Sequence, residues 1–166
     1  TEDEKASIRI LVIDDEATLR DTCVNVLRMQ GYNVSSAGRG EEALDTVRMR
    51  DFDIVLCDLY MTQVPGIDLL RAALERRPET IVVMMTGNPS VESNLEMLRA
   101  GAWDYLPKPF SATHVDVLIG RAAHAVKEQR ANADEDRETS GDETVGGRTA
   151  IIGRSPAFRS ALDLAK

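Results

Sequence analysis

A chain of 166 residues that is 43% hydrophobic and 29% charged has enough apolar mass for one ordinary domain plus a tail or the opening of a second, and it is not the profile of a disordered chain. Its net charge of -8 disfavours a nucleic-acid surface, which needs concentrated Lys and Arg, so proteins and cations are the expected partners. No apolar run approaches the roughly 20 residues of a membrane span, and "TEDEKAS" carries the wrong charge for a signal peptide, so no membrane contact and a cytoplasmic location are expected.

Residues 1–7 read as an N-terminal tail. The first strand, "IRILVI" (8–13), ends abnormally: in "ILVIDDE" an apolar run meets three carboxylates, a charge that a strand end does not need and that something must compensate. The helix that follows has Leu19, Cys23, Val26 and Leu27 on one face and is stopped by Gly31. Then come "NVSSA" (33–37), a helix over 40–49, "DIVLC" (53–57), a helix over 66–76, "TIVVMM" (80–85), a helix over 90–100, "WDYL" (103–106) and a long helix from about 112. Strict alternation predicts a parallel sheet with right-handed crossovers, and the uninterrupted apolar character of the first, third and fourth strands predicts helices over both faces. Cys23 and Cys57 sit inside apolar elements without zinc or redox spacing and read as buried, reduced thiols.

From 128 the chain turns polar, and 128–149 reads as a helical extension passing into a linker. "AIIGRSPAFRSALDLAK" (150–166) restores order, with Ser155 as N-cap, Pro156 at the first helical position and Phe158, Ala161, Leu162 and Ala165 on one face. It reads as the first residues of a further domain, cut short.

Asp14, Asp15 and Glu16 end the first strand, Asp58 the third and Thr86 the fourth, and Lys108 follows the fifth. In a parallel sheet these positions share the carboxyl edge, where ligands bind. Two like charges about 4 Å apart repel by about 4 kcal/mol at an effective dielectric of about 20, so the acids call for a cation, and oxygen ligands without His suggest Mg²⁺. A hydroxyl, an ammonium and a divalent ion around one further carboxylate suit a phosphoryl group, with that carboxylate as nucleophile. Taken singly, "DDE" could be a helix N-cap and "YLPKPF" a proline turn; the combination resists that explanation.

These marks, "VIDDE", "VLCDLYM", "MMTG" and "DYLPKPF", resemble those of the receiver domain of bacterial two-component response regulators, over residues 8 to about 127. The resemblance implies a doubly wound, flavodoxin-like (CheY-like) sheet of five strands in the order 2-1-3-4-5, with helices on both faces and an extended C-terminal helix. It implies that Asp58 accepts a phosphoryl group from a sensor histidine kinase. Mg²⁺ (or Mn²⁺) would bind directly to Asp15, Asp58 and the backbone carbonyl of Tyr60, with Asp14 acting largely through water. Thr86 would be the switch hydroxyl, Lys108 a phosphoryl partner, Tyr105 a side chain that swings inward as Thr86 moves, and the Lys108–Pro109 bond cis. Such a domain is regulatory, catalysing only its own phosphorylation and dephosphorylation. Two departures stand out: Thr62 where the family usually has Pro, and Pro65 where Asp commonly precedes Gly66, so the loop after Asp58 is expected to take its own path. Tyr60 and Asn88, two residues past Asp58 and Thr86, are candidates for tuning hydrolysis.

"IIGRSPAFRSAL" is similar to the opening of the AAA+ module in sigma-54-dependent activators of the NtrC type. No G-x-x-x-x-G-K-[ST] occurs in the chain, so ATP hydrolysis and contacts with sigma-54 RNA polymerase and DNA would belong to domains absent here. The same resemblance implies a homodimer through the final helix. Val115, Leu118, Ala122 and Ala125 make a stripe for the sheet, while Ile119, Val126 and Ala133 recur every seven residues as a second seam, expected to be free for another subunit.

Two rival functions exist. "DDEATL" resembles the "D-x-D-x-T-L" opening of haloacid dehalogenase phosphohydrolases, with Asp14 as nucleophile, although Glu16 stands where Asp is usual and an Asp at the end of the third strand has no role there. "GRGEEA" (38–43) fits G-x-G-x-x-A, but Glu41 and Glu42 would repel a pyrophosphate, so its glycines read as a loop. His114 and His124, ten residues apart on the last helix, read as solvated or half-buried side chains.

Overall fold

A computed structural model describes residues 2–88 and 90–142, with side chains to 136; the rest of the linker and the expected start of a further domain, 143–166, lie outside the described residues. The chain divides into two units, Thr1–Lys127 and Glu128–Lys166.

Five strands, β1 (Arg9–Ile13), β2 (Asn33–Ala37), β3 (Ile54–Asp58), β4 (Ile81–Thr86) and β5 (Asp104–Pro107), form one sheet in the order β2-β1-β3-β4-β5. Every neighbouring pair is parallel. Between and around them run α1 (Glu2–Ala6), α2 (Ala17–Met29), α3 (Gly40–Met49), α4 (Gly66–Arg76), α5 (Val91–Arg99) and α6 (Ala112–Asp142). The expected doubly wound topology is therefore the observed one.

Side-chain alternation along the strands builds two cores. Ile10, Val12, Ile54, Leu56, Val83 and Met85 face α2 and α6, whereas Leu11, Ile13, Val55, Cys57, Val82 and Met84 face α3, α4 and α5. This is why β1, β3 and β4 read as unbroken apolar runs: each residue is covered on whichever side it points. Burying one such side chain is worth about 1.5–3 kcal/mol, and a slip of one residue would exchange the two sets, so register is firmly specified. Gly31 ends α2 with φ +101°, a left-handed conformation that a Cβ disfavours. Cys23 and Cys57 are buried and unpaired. Burial pushes the Cys23 thiol up to about 11, with the Asp14 charge adding to it, and drives Cys57 higher still.

Two expectations need correction. The N-terminal stretch is not a plain tail: Glu2–Ala6 is a short helix without buried residues, with acids in its first turn that suit the positive helix end. Glu4 pairs with Lys127 at 3.0 Å, and the Lys5 ammonium lies 5.7 Å from the Tyr32 ring centroid. The second seam of α6 is not free either. Ile119 and Val126 are each only 1% exposed and belong to the same core as Val115, Leu118 and Ala122. Only Ala133 of that seam is exposed. The helix is sunk deeply enough against the sheet to cover Ile119 and Val126 along with the first stripe. His114 and His124 are exposed on α6, as solvated side chains would be.

Candidate functional site

β1 carries the chain directly into Asp14, which is fully buried and tied on every side. Its N–H donates to Ala37 O at 3.2 Å, so β2 holds the backbone, and its own carbonyl accepts Arg20 Nη1 at 2.9 Å. Carboxylate Oδ1 accepts the Glu16 N–H and Oδ2 accepts Lys108 Nζ, each at 2.9 Å. Glu16 is the N-cap of α2 yet makes no capping hydrogen bond with its side chain. Glu16 thus occupies the cap position without its carboxylate capping the helix.

Asp58 closes β3 and is 6% exposed. Its Oδ1 accepts the Tyr60 N–H at 3.2 Å, and its Oδ2 accepts Lys108 Nζ at 3.3 Å. Burial holds the Asp58 carboxyl above the usual carboxylate range; the Tyr60 N–H opposes this, the Asp14 charge adds to it, and Lys108 works against it. For Lys108, burial alone would favour the neutral amine, but the Asp14 hydrogen bond and the charges of both acids keep it above its ordinary value. One cation therefore bridges two carboxylates.

Asp15 is exposed, and its Oδ2 accepts the Thr62 hydroxyl at 2.6 Å. Asp14, Asp15 and Asp58 each offer an oxygen within 4.8 Å of the others. A donor set of three carboxylate oxygens without nitrogen or sulfur fits a hard divalent cation.

Thr86 ends β4, fully buried; its hydroxyl accepts the Asn88 N–H at 3.2 Å and its carbonyl accepts the Lys108 N–H at 2.7 Å. The Lys108–Pro109 bond is cis. Tyr105 is half-buried on β5 opposite Met84, two residues before Thr86, and packs against the core beneath α3, α4 and α5. Tyr60 is 57% exposed beside the site.

The loop after Asp58 closes tightly. Leu59 N–H reaches Met85 O at 2.8 Å, Gly66 N–H reaches Leu59 O at 3.0 Å, and buried Met61 anchors the middle. A Cβ on Gly66 would lie 2.4 Å from Asp58 O, so only glycine lets α4 start against the strand end. Sequence reasoning singled out Thr62 only as a departure and overlooked Arg20. Neither has a periodic signal, since one lies in a loop and the other looks like an ordinary solvent-facing charge.

An amine bridging two acids, a third acid and a buried hydroxyl, all at the carboxyl edge of a doubly wound parallel sheet, define the class of aspartate-based signalling domains. The chain belongs to the response regulator receiver domain family, whose model matches residues 10–119. It is 35% identical over 159 residues to the transcriptional regulatory protein ZraR of Escherichia coli O157:H7, an alignment covering 94% of this chain and 34% of that protein, so the chain spans about a third of the relative's length. Among solved structures it is similar to a CheY-like receiver domain from Methanospirillum hungatei JF-1, with a TM-score of 0.70 and 29% identity over 74% of this chain and 98% of that one. It is also similar to the beryllofluoride-activated NtrC4 receiver domain dimer, with a TM-score of 0.66 and 27% identity over 71% of this chain and 98% of that one. The phosphohydrolase alternative finds no support: the family is a different one, and Asp14 is fully buried with both carboxylate oxygens engaged.

Proposed function

We propose that Asp58 accepts a phosphoryl group from a sensor histidine kinase, and that the receiver, assigned to residues 8–127, then changes conformation to control an output domain. The supporting observation is the Lys108 bridge. Asp58 has one carboxylate oxygen on a backbone N–H and the other at 3.3 Å from the ammonium, while Asp14 takes the shorter bond of 2.9 Å. Asp58 is the more accessible of the two and the better nucleophile. Asp15, Asp58 and the Tyr60 carbonyl would hold Mg²⁺ (or Mn²⁺), with Asp14 acting through water; the ion, when bound, supplies positive charge to the phosphoryl oxygens. Lys108 serves the same oxygens, and Thr86 offers its hydroxyl as the switch that Tyr105 follows. Tyr60 and Asn88 tune access of water, and so the lifetime of the aspartyl phosphate. Autocatalysis extends to phosphorylation and dephosphorylation only.

Among the described residues no helix is long and apolar enough to cross a membrane; a cytoplasmic location is proposed from membership of the receiver-domain family. Residues 128–149 act as helical extension and linker, and 150–166 open an AAA+ module of a sigma-54-dependent transcriptional activator, which would carry the contacts with RNA polymerase and DNA. A homodimer through the final helix is retained, although its contacts must come from residues other than buried Ile119 and Val126. The similarity to an NtrC4 receiver domain dimer supports it. The central experiment incubates wild type, Asp58→Asn and Asp14→Asn with acetyl phosphate and Mg²⁺ and reads the intact mass. Wild type gains a phosphoryl group and Asp58→Asn does not; an adduct on Asp58→Asn overturns the assignment.

A further inference from the structure

We infer that Thr62 is a positioning residue for divalent-metal binding, its hydroxyl orienting the Asp15 carboxylate so that the other oxygen faces the cation. This rests on the metal-site reading above and adds to it a residue outside the ligand set. Lys108 reaches Asp14 and Asp58, and Thr62 is the side-chain partner of Asp15 among the described residues. The 2.6 Å separation is shorter than an ordinary O–H···O bond and falls where hydroxyl–carboxylate bonds lie.

Thr62 cannot easily be elsewhere. Met61 is 7% exposed and plugged into the core beneath α3 and α4, and the loop is fastened at Leu59 and again at Gly66. The residue after the Met61 plug emerges at the surface within reach of the turn that follows β1. A proline there would have no donor, so the hydroxyl adds a link across 47 positions of sequence between two loops that share the ion. Without it, exposed Asp15 would have to be ordered by the metal itself. Donors behind metal ligands characteristically alter metal affinity by about 10–100-fold, and an exposed single bond belongs at the lower end.

The test titrates the 166-residue chain with MgCl₂ and follows backbone amide NMR shifts at Asp15 and Leu59 in wild type, Thr62→Val and Thr62→Ser. Thr62 is exposed, so neither change disturbs the core, and equal thermal midpoints in metal-free buffer confirm that. The expected result is an approximately tenfold higher Kd for Thr62→Val, restored by Thr62→Ser, which keeps the donor. Equal or tighter Mg²⁺ binding by Thr62→Val overturns the inference. Phosphorylation by acetyl phosphate supplies the second readout: Thr62→Val is slow at limiting Mg²⁺ and reaches the wild-type rate at saturation, and a deficit that persists at saturation is equally fatal. A wild-type chain that binds no Mg²⁺ removes the metal reading and this inference together, whereas failure of Thr62→Val alone leaves the metal reading standing.

Discussion

The Lys108 N–H donates to the Thr86 carbonyl at 2.7 Å, so the proposed switch residue and the residue bridging the acids are joined through backbone. Thr86→Ala keeps this bond and loses only the hydroxyl that accepts from Asn88. The variant is expected to be phosphorylated on Asp58 but to transmit the change poorly. In NMR spectra with beryllofluoride, shifts near Tyr105 should be clearly smaller than in wild type; equal shifts count against the coupling.

Lys108→Met removes the only cation seen between Asp14 and Asp58 among the described residues, leaving two buried carboxylates face to face. Breaking such a contact costs on the order of 3 kcal/mol, and urea unfolding in metal-free buffer should register it, with partial recovery on adding Mg²⁺. Because the folded-state value of Lys108 is raised above 10.5, its contribution is complete below that pH and is lost as pH rises through the folded value. Lys108→Met should lack this alkaline loss.

Asp58 has the opposite sign. Its folded-state value is raised above 3.8, chiefly by burial, so the charged form is disfavoured in the fold and stability improves as pH falls through the raised value toward 3.8. Asp58→Asn should therefore stabilise the metal-free protein at neutral pH, with the gain shrinking on acidification. Urea unfolding of both proteins across a pH series in metal-free buffer checks this.

Gly66→Ala drives a Cβ against Asp58 O and the Leu59 backbone. Overpacking against backbone costs about 1–3 kcal/mol, and the displaced strand end should also slow phosphorylation. A variant as stable and as fast as wild type would mean that the loop yields without strain.

Assembly is tested by sedimentation equilibrium on the full chain and on a version ending at Lys127, each with and without beryllofluoride. The helical-extension proposal expects association that weakens when the chain is shortened. Equal dimerisation of the two would move the contact to the exposed stripe of Val91, Leu95 and Leu98 on α5, and two monomers would abolish it.

Most of the fold was legible because alternation of strand and helix patterns fixes a parallel sheet, and because the residues flanking each strand end are chemically distinctive. Asp14, Asp58, Thr86 and Lys108 were found this way, from four strand ends. What escaped notice lay outside periodicity. Residues 2–6 are too few for a helical repeat to register. The stripe of Ile119 and Val126 looked spare because a repeat reports which faces are apolar and not how deep a helix lies. Thr62 belongs to a loop, where spacing carries no information about which neighbour a hydroxyl will meet.

The bond between Lys108 and Asp14 joins positions 94 residues apart. During synthesis, at about 5–20 residues per second, a chain whose first three strands have emerged already displays its acids but has no amine to set against them. The final strand must be in place before Lys108 can offset part of that negative charge. A chain that ends before residue 108 therefore holds Asp14 and Asp58 without the ammonium that bridges them in the finished fold.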